Sequence, residues 1–200
     1  MRTITLIYDG TFNTYRWLKA MMWARNEFHD LGYKIKYASI FDYVPYPKST
    51  KVPYEGIKLK WDTIGRFDIV FLAFHHSQSL IGQNSEKRIA LVKSLKQKCK
   101  LLCWLDTADS TGTCLFDVLP YVDLYFKKQL LKDTNLYTNE FYCARLYSDY
   151  YHQKLGLTDE SLASIHYHTA LKEYLHKLRV SWNVAFYDRM GCLLYTSPSP

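Results

Sequence analysis

The chain is poor in the features that make a function easy to read. Its five cysteines are odd in number and contain no C-x-x-C pair, which excludes a disulfide framework. No H-E-x-x-H or similar spacing occurs among the seven histidines, so no protein-held zinc is expected. The loop after the first strand-like segment lacks both G-x-G-x-x-G and a P-loop lysine, which argues against dinucleotide or NTP binding there. No serine lies in a G-x-S-x-G elbow, and no cofactor fingerprint is present, so no cofactor is expected. No segment approaches the roughly 18 apolar residues of a membrane span. The apolar run at the N-terminus is too short for a signal peptide. Basic residues are scattered, without a long arm, a zinc finger or an RNP-like pattern, so no nucleic-acid partner is expected. Cysteines that read as reduced residues of a buried strand add to an expectation of a cytoplasmic chain.

What is present is a well-stocked core. Of 200 residues, 48% are hydrophobic, enough to exclude global disorder. The aromatic residues, 18 of them Tyr, suit both core packing and stacking on a ligand. A formal net charge of +7 favours anionic partners such as nucleotides or phosphates.

Strand and helix signals alternate along the chain. Residues 3–8 read as a strand, 14–31 as a helix with Trp17, Leu18, Met21, Ala24 and Phe28 at helical spacing, and Gly32 as its stop. Residues 33–41 read as a second strand near an edge. Pro45, Pro47 and Pro53 mark a loop, followed by a helix-like segment over 55–64. Residues 67–74 form an apolar strand, 85–97 a helix, 100–105 a strand, 116–119 a short helix and 122–126 a further strand. Residues 158–179 read as a last helix and 181–185 as a strand or linker. This alternation predicts an α/β fold with a Rossmann-like, doubly wound, mostly parallel sheet.

In such sheets ligands bind outside the carboxyl ends of the strands, so the residues there are the site candidates. Asp106 and Asp109 follow the 100–105 strand. Either could accept hydrogen bonds from sugar hydroxyls, and Asp106 is the candidate general base. Asp109 or Ser110 could equally cap the next helix. His75 and His76 end the most apolar strand, where an imidazole can take a proton near neutral pH. As neighbours on a strand they should face opposite ways. Lys127, Lys128 and Lys132, with Arg145, could neutralise a diphosphate or form a solvated basic face. Asp9 and Gly10 form a turn that lets a ligand approach the backbone.

The block Trp104-Leu105-Asp106-Thr107-Ala108-Asp109-Ser110-Thr111-Gly112-Thr113, with residues 116–133, 145–152 and 178–183, resembles a bacterial glycosyltransferase-like family. Cys143-Ala144 stands where such sequences tend to carry glycines. The resemblance implies the N-terminal domain of a GT-B arrangement. Its ligand would be a glycan acceptor. A nucleotide-sugar donor would be held by a C-terminal domain outside this chain. Asp106 and His75 would then be catalytic, and Asp9, Gly10, His76, Asp109, Ser110, Lys127, Lys128 and Arg145 would bind substrate, with no metal. The setting would be cell-surface polysaccharide synthesis, which is compatible with peripheral membrane association. Residues 1–180 would form the acceptor-side domain, 181–190 the start of a linker, and 191–200 a non-native or disordered tail. Alone the chain would be inactive. The other reading of the same pattern is a non-enzymatic, flavodoxin-like ligand-binding module.

Overall fold

The computed structural model describes residues 1–39, 57–58, 66–159 and 169–182. Among these residues seven strands form one sheet: β1 (Arg2–Tyr8), β2 (Tyr33–Ser39), β3 (Ile57–Lys58), β4 (Phe67–Ala73), β5 (Cys99–Asp106), β6 (Leu124–Lys127) and β7 (Leu178–Val180). Their order is β3-β2-β1-β4-β5-β6-β7, and every neighbouring pair is parallel. The first six follow the strand order of the doubly wound nucleotide-binding sheet, and the chain reverses direction of build between β1 and β4.

The alternation of side chains along a strand explains the two covered faces. Ile4, Leu6 and Tyr8 of β1 pack with Leu18 and Met21 of α1 (Phe12–Trp23). Ile7, one residue out of phase, joins Val70 and Leu72 of β4 with Leu91, Val92 and Leu95 of α4 (Ser85–Lys96). One helix therefore covers each face, as a parallel sheet requires.

Local chemistry sets the element ends. Thr11 caps α1 by accepting from the Thr14 N–H, and Asn84 caps α4 by accepting from the Lys87 N–H. The expected 14–31 helix is two helices, because the chain bends at Ala24 (φ −80°, ψ 17°) between α1 and α2 (Arg25–Asp30). Gly32, at φ 85°, follows α2 and turns the chain into β2. β2 has β3 on its outer side, so it is one strand in from the edge. Residues 57–58 are strand rather than helix; the rest of 55–64 lies outside the described residues.

The expected 158–179 helix also differs. Residues 172–177 form a tight helical turn and 178–180 form β7, while 160–168 lie outside the described residues. β6 begins two residues later than expected, because Val122 closes the preceding turn by donating to the Val118 carbonyl. Residues 134–138 and 142–144 form turns, followed by a helix, α5 (Leu146–Leu155), ended by Gly156 at φ 62°. Cys143 sits at φ 54°, a left-handed conformation that favours glycine, at the position where the resemblance places small glycines.

A buried ion pair anchors α4. The Arg88 guanidinium faces the Asp117 carboxylate, with side chains 3% and 6% exposed, and also donates to the Ile81 and Gly82 carbonyls. Those carbonyls belong to α3 (Leu80–Gln83), a single turn capped by Ser79. A β-carbon on Gly82 would lie 2.0 Å from the His75 carbonyl oxygen, closer than atoms can approach. Gly82→Ala must therefore displace the turn that carries His75, and overpacking of this kind costs about 1–3 kcal/mol. Urea unfolding should show that loss, with shifted NMR signals for residues 74–79; an unaltered midpoint and spectrum would contradict the packing.

Candidate functional site

Four chain segments converge at the carboxyl edge of the sheet, around the β1/β4 switch point. They enclose a pocket of about 280 Å³. The first two turns of α1 contribute Asn13, Arg16 and Trp17. The loop after β4 contributes His75, the loop after β5 contributes Thr107 and Asp109, and the residue after β6 contributes Lys128.

The pocket has a fixed floor, built from groups that do not line it. Asp9 is fully buried. One carboxylate oxygen accepts from the Thr11 N–H at 2.8 Å, the other from the His75 N–H at 2.6 Å and the Thr14 hydroxyl at 3.2 Å. Burial raises its pKa, and the hydrogen bonds from the His75 and Thr11 amides oppose that rise. Asp9 thus ties the β1 loop to the β4 loop. Gly10, at φ 77°, supplies the turn between Asp9 and the α1 cap.

The second anchor is a cluster inside the 107–115 loop. Asp106 and Lys127 are cross-strand neighbours on β5 and β6, and their side chains are 3% and 0% exposed. Lys127 Nζ lies 3.3 Å from Asp106 Oδ2 and donates to the Thr113 carbonyl at 2.8 Å and the Ala108 carbonyl at 3.3 Å. Asp106 Oδ1 accepts from the Ala108 N–H at 2.8 Å, and Oδ2 accepts from the Tyr125 hydroxyl. That hydroxyl accepts in turn from the Leu115 N–H at 3.0 Å. Tyr137 completes the loop's support by donating to the Thr111 carbonyl at 3.0 Å.

Above the floor lie the groups that line the pocket. Lys128 Nζ pairs with Asp109 Oδ1 at 3.0 Å and lies 5.5 Å from the centre of the Trp17 ring. The Asp109 side chain is 82% exposed, so this pair contributes little to stability. Thr107 is buried, and its hydroxyl has no hydrogen-bond partner among the described residues. Trp17 is fixed from behind: Trp182 Nε1 donates to its carbonyl at 2.9 Å.

The two histidines lie beyond the end of β4, so strand alternation does not apply to them. Their rings stack at 4.6 Å instead of facing opposite ways. The Ser77 N–H donates to His75 Nδ1 at 3.3 Å. Burial lowers the His75 pKa, opposed by the charges of Asp9, Asp106 and Asp109. Burial, then the neighbouring His75, takes His76 down to about 4, and its buried Nδ1 has no partner among the described residues.

The expected residues thus separate by role. His75, Asp109 and Lys128 meet in the pocket. Asp9, Asp106 and Lys127 are consumed by the floor. The Ser110 hydroxyl accepts from the Gly112 N–H at 3.2 Å and shapes the loop. Arg145 precedes α5 and donates to the Tyr147 hydroxyl at 2.7 Å; neither it nor exposed Lys132 lines this pocket. Asn13, Arg16 and Trp17 were not singled out as site residues. Their signal was their place, within two turns of the loop that follows the first strand. Among the described residues no group of three His, Cys, Asp or Glu could hold a metal, and no helix is long and apolar enough to cross a membrane.

The fold and site together define an α/β, Rossmann-like domain with a polar pocket at its switch point. No protein-family model, no curated protein and no solved structure matches this chain.

Two outcomes follow from this geometry. Lys127→Met leaves Asp106 buried without its counter-charge and should cost about 3–5 kcal/mol. Urea unfolding should show Lys127→Met/Asp106→Asn recovering part of that loss; a single variant as stable as the parent would remove the cluster from its structural role. The second concerns pH. His76 titrates lower in the folded chain than in the unfolded one, so the unfolded state binds the extra proton between pH 6.5 and about 4. Stability should therefore fall as pH drops through that window, and His76→Gln should remove part of the fall. Parallel pH–stability curves for parent and variant would contradict the assignment.

Proposed function

We propose that this chain is the acceptor-binding domain of a GT-B-type glycosyltransferase, facing a second domain that holds the nucleotide-sugar. The observation that carries the reading is the meeting of His75, Asp109, Asn13 and Thr107 in one pocket at the switch point. These are the hydroxyl, amide, imidazole and carboxylate groups that bind and deprotonate alcohols. The polar loop after β5, which carries the family resemblance, forms one wall.

In this reading an acceptor hydroxyl attacks the anomeric carbon of the donor sugar. The new C–O bond forms as the bond to the nucleotide diphosphate breaks, and the hydroxyl proton passes to His75 Nδ1, where it displaces the 3.3 Å hydrogen bond from the Ser77 N–H. A lowered pKa keeps that ring neutral and ready to accept. Asp109 holds a neighbouring hydroxyl. Asp106 acts as a positioning residue, because both its oxygens are already engaged. Stabilisation of the leaving diphosphate comes from the other domain.

The engagement of Asp9 and Asp106 favours one second reading, a ligand-binding module without catalysis. Saturation-transfer NMR with a panel of neutral methyl hexosides tests the acceptor site. At least one glycoside should respond, Asp109→Asn should weaken it about tenfold, and the chain alone should make no product from UDP-glucose. A silent panel, or turnover by the chain alone, would contradict the proposal.

A further inference from the structure

The same pocket contains two cationic side chains that a neutral sugar would not use. Lys128 reaches it with its ammonium held between Asp109 and the Trp17 face. Arg16, one turn into α1, lines it as a second cation. Asn13 lies on the first turn of the same twelve-residue helix, whose N-terminal end carries the positive end of the helix dipole. Thr107, 5% exposed, is one of the residues that line the pocket, and its buried hydroxyl has no partner among the described residues. A buried hydroxyl without a partner costs free energy, a cost that a ligand oxygen reaching it from the pocket would relieve.

We infer that this pocket binds a phosphate monoester, with the phosphate on Lys128, Arg16 and the Thr107 hydroxyl. The inference deepens the acceptor-domain reading and rests on the same pocket: the acceptor would be a sugar phosphate. Asp109 is the one opposing charge among the lining groups. Asp109's side of its pair with Lys128 is open to solvent, which weakens the pair, so a dianionic phosphate, with more charge and more acceptor oxygens, replaces it on Lys128. The released Asp109 carboxylate then accepts from a sugar hydroxyl beside His75. A single exchange of partners thus accommodates both ends of the ligand.

This exchange separates the phosphate from the sugar experimentally, because Asp109 opposes the one and binds the other. Affinities for inorganic phosphate, glucose 1-phosphate and methyl glucoside would be measured by titration calorimetry or NMR. Lys128→Gln should weaken phosphate binding about tenfold or more, and Thr107→Val about tenfold. Thr107→Val should not lower the melting temperature, since the hydroxyl has no partner among the described residues to lose. Asp109→Asn should tighten inorganic phosphate about two- to fivefold while weakening methyl glucoside. Tighter binding of glucose 1-phosphate than of phosphate assigns a sugar phosphate; equal binding assigns free phosphate and overturns the monoester. Phosphate binding that ignores Lys128→Gln or Thr107→Val, or no binding at millimolar phosphate, overturns the inference. Glycoside binding that persists in that case leaves the acceptor reading standing. Phosphate binding with the expected variant pattern and a silent glycoside panel removes the neutral-acceptor reading instead.

Discussion

The buried cluster of Asp106, Tyr125 and Lys127 is the interaction on which the candidate site depends. A charged lysine with no exposure is costly unless its ammonium is fully engaged. Here it is, by one carboxylate oxygen and two loop carbonyls. Because those carbonyls belong to Ala108 and Thr113, the ion pair also fixes the span between them. Thr107 and Asp109 flank the first of these anchors and reach the pocket from it. The loop shape is therefore a consequence of charge burial at the ends of β5 and β6.

Asp9 plays the corresponding part on the other side of the switch point. Its carboxylate joins the loop after β1 to the loop after β4 and so fixes α1 relative to His75. Two buried carboxylates, Asp9 held by two backbone amides and the Thr14 hydroxyl and Asp106 by one amide, the Tyr125 hydroxyl and Lys127, thus hold a frame for the groups that line the pocket. The consecutive residues Lys127 and Lys128 show how one strand end serves both purposes. Lys127, the last residue of β6, enters the loop cluster, while Lys128, the first residue past the strand, turns to the pocket and pairs with Asp109.

Much of the fold was legible because apolar runs and caps act locally. The strands at 67–73 and 99–106, the α4 helix and the Gly32 stop all follow from patterns within a few residues. β7 was not legible: of its three residues only Leu178 is buried, and residues 158–179 read as one long helix. The site was legible as a place more than as a set of roles. Asp106 and Lys127 are 21 positions apart, and only the β5/β6 register makes them neighbours, so a candidate base and a candidate phosphate ligand neutralise each other instead. Asp109, Lys128 and His75 line the pocket. Trp17 read as a core residue because most of its surface is core, yet it also lies beneath the Lys128 ammonium.

The central claim is that the switch-point pocket, held by the two buried carboxylates, is the ligand site. A crystal structure of the chain grown with glucose 1-phosphate tests this most directly. The account predicts phosphate density against Arg16, Thr107 and Lys128, with Asp109 moved from Lys128 towards the sugar. A ligand bound elsewhere, or an intact Asp109–Lys128 pair beneath an empty pocket, would contradict it.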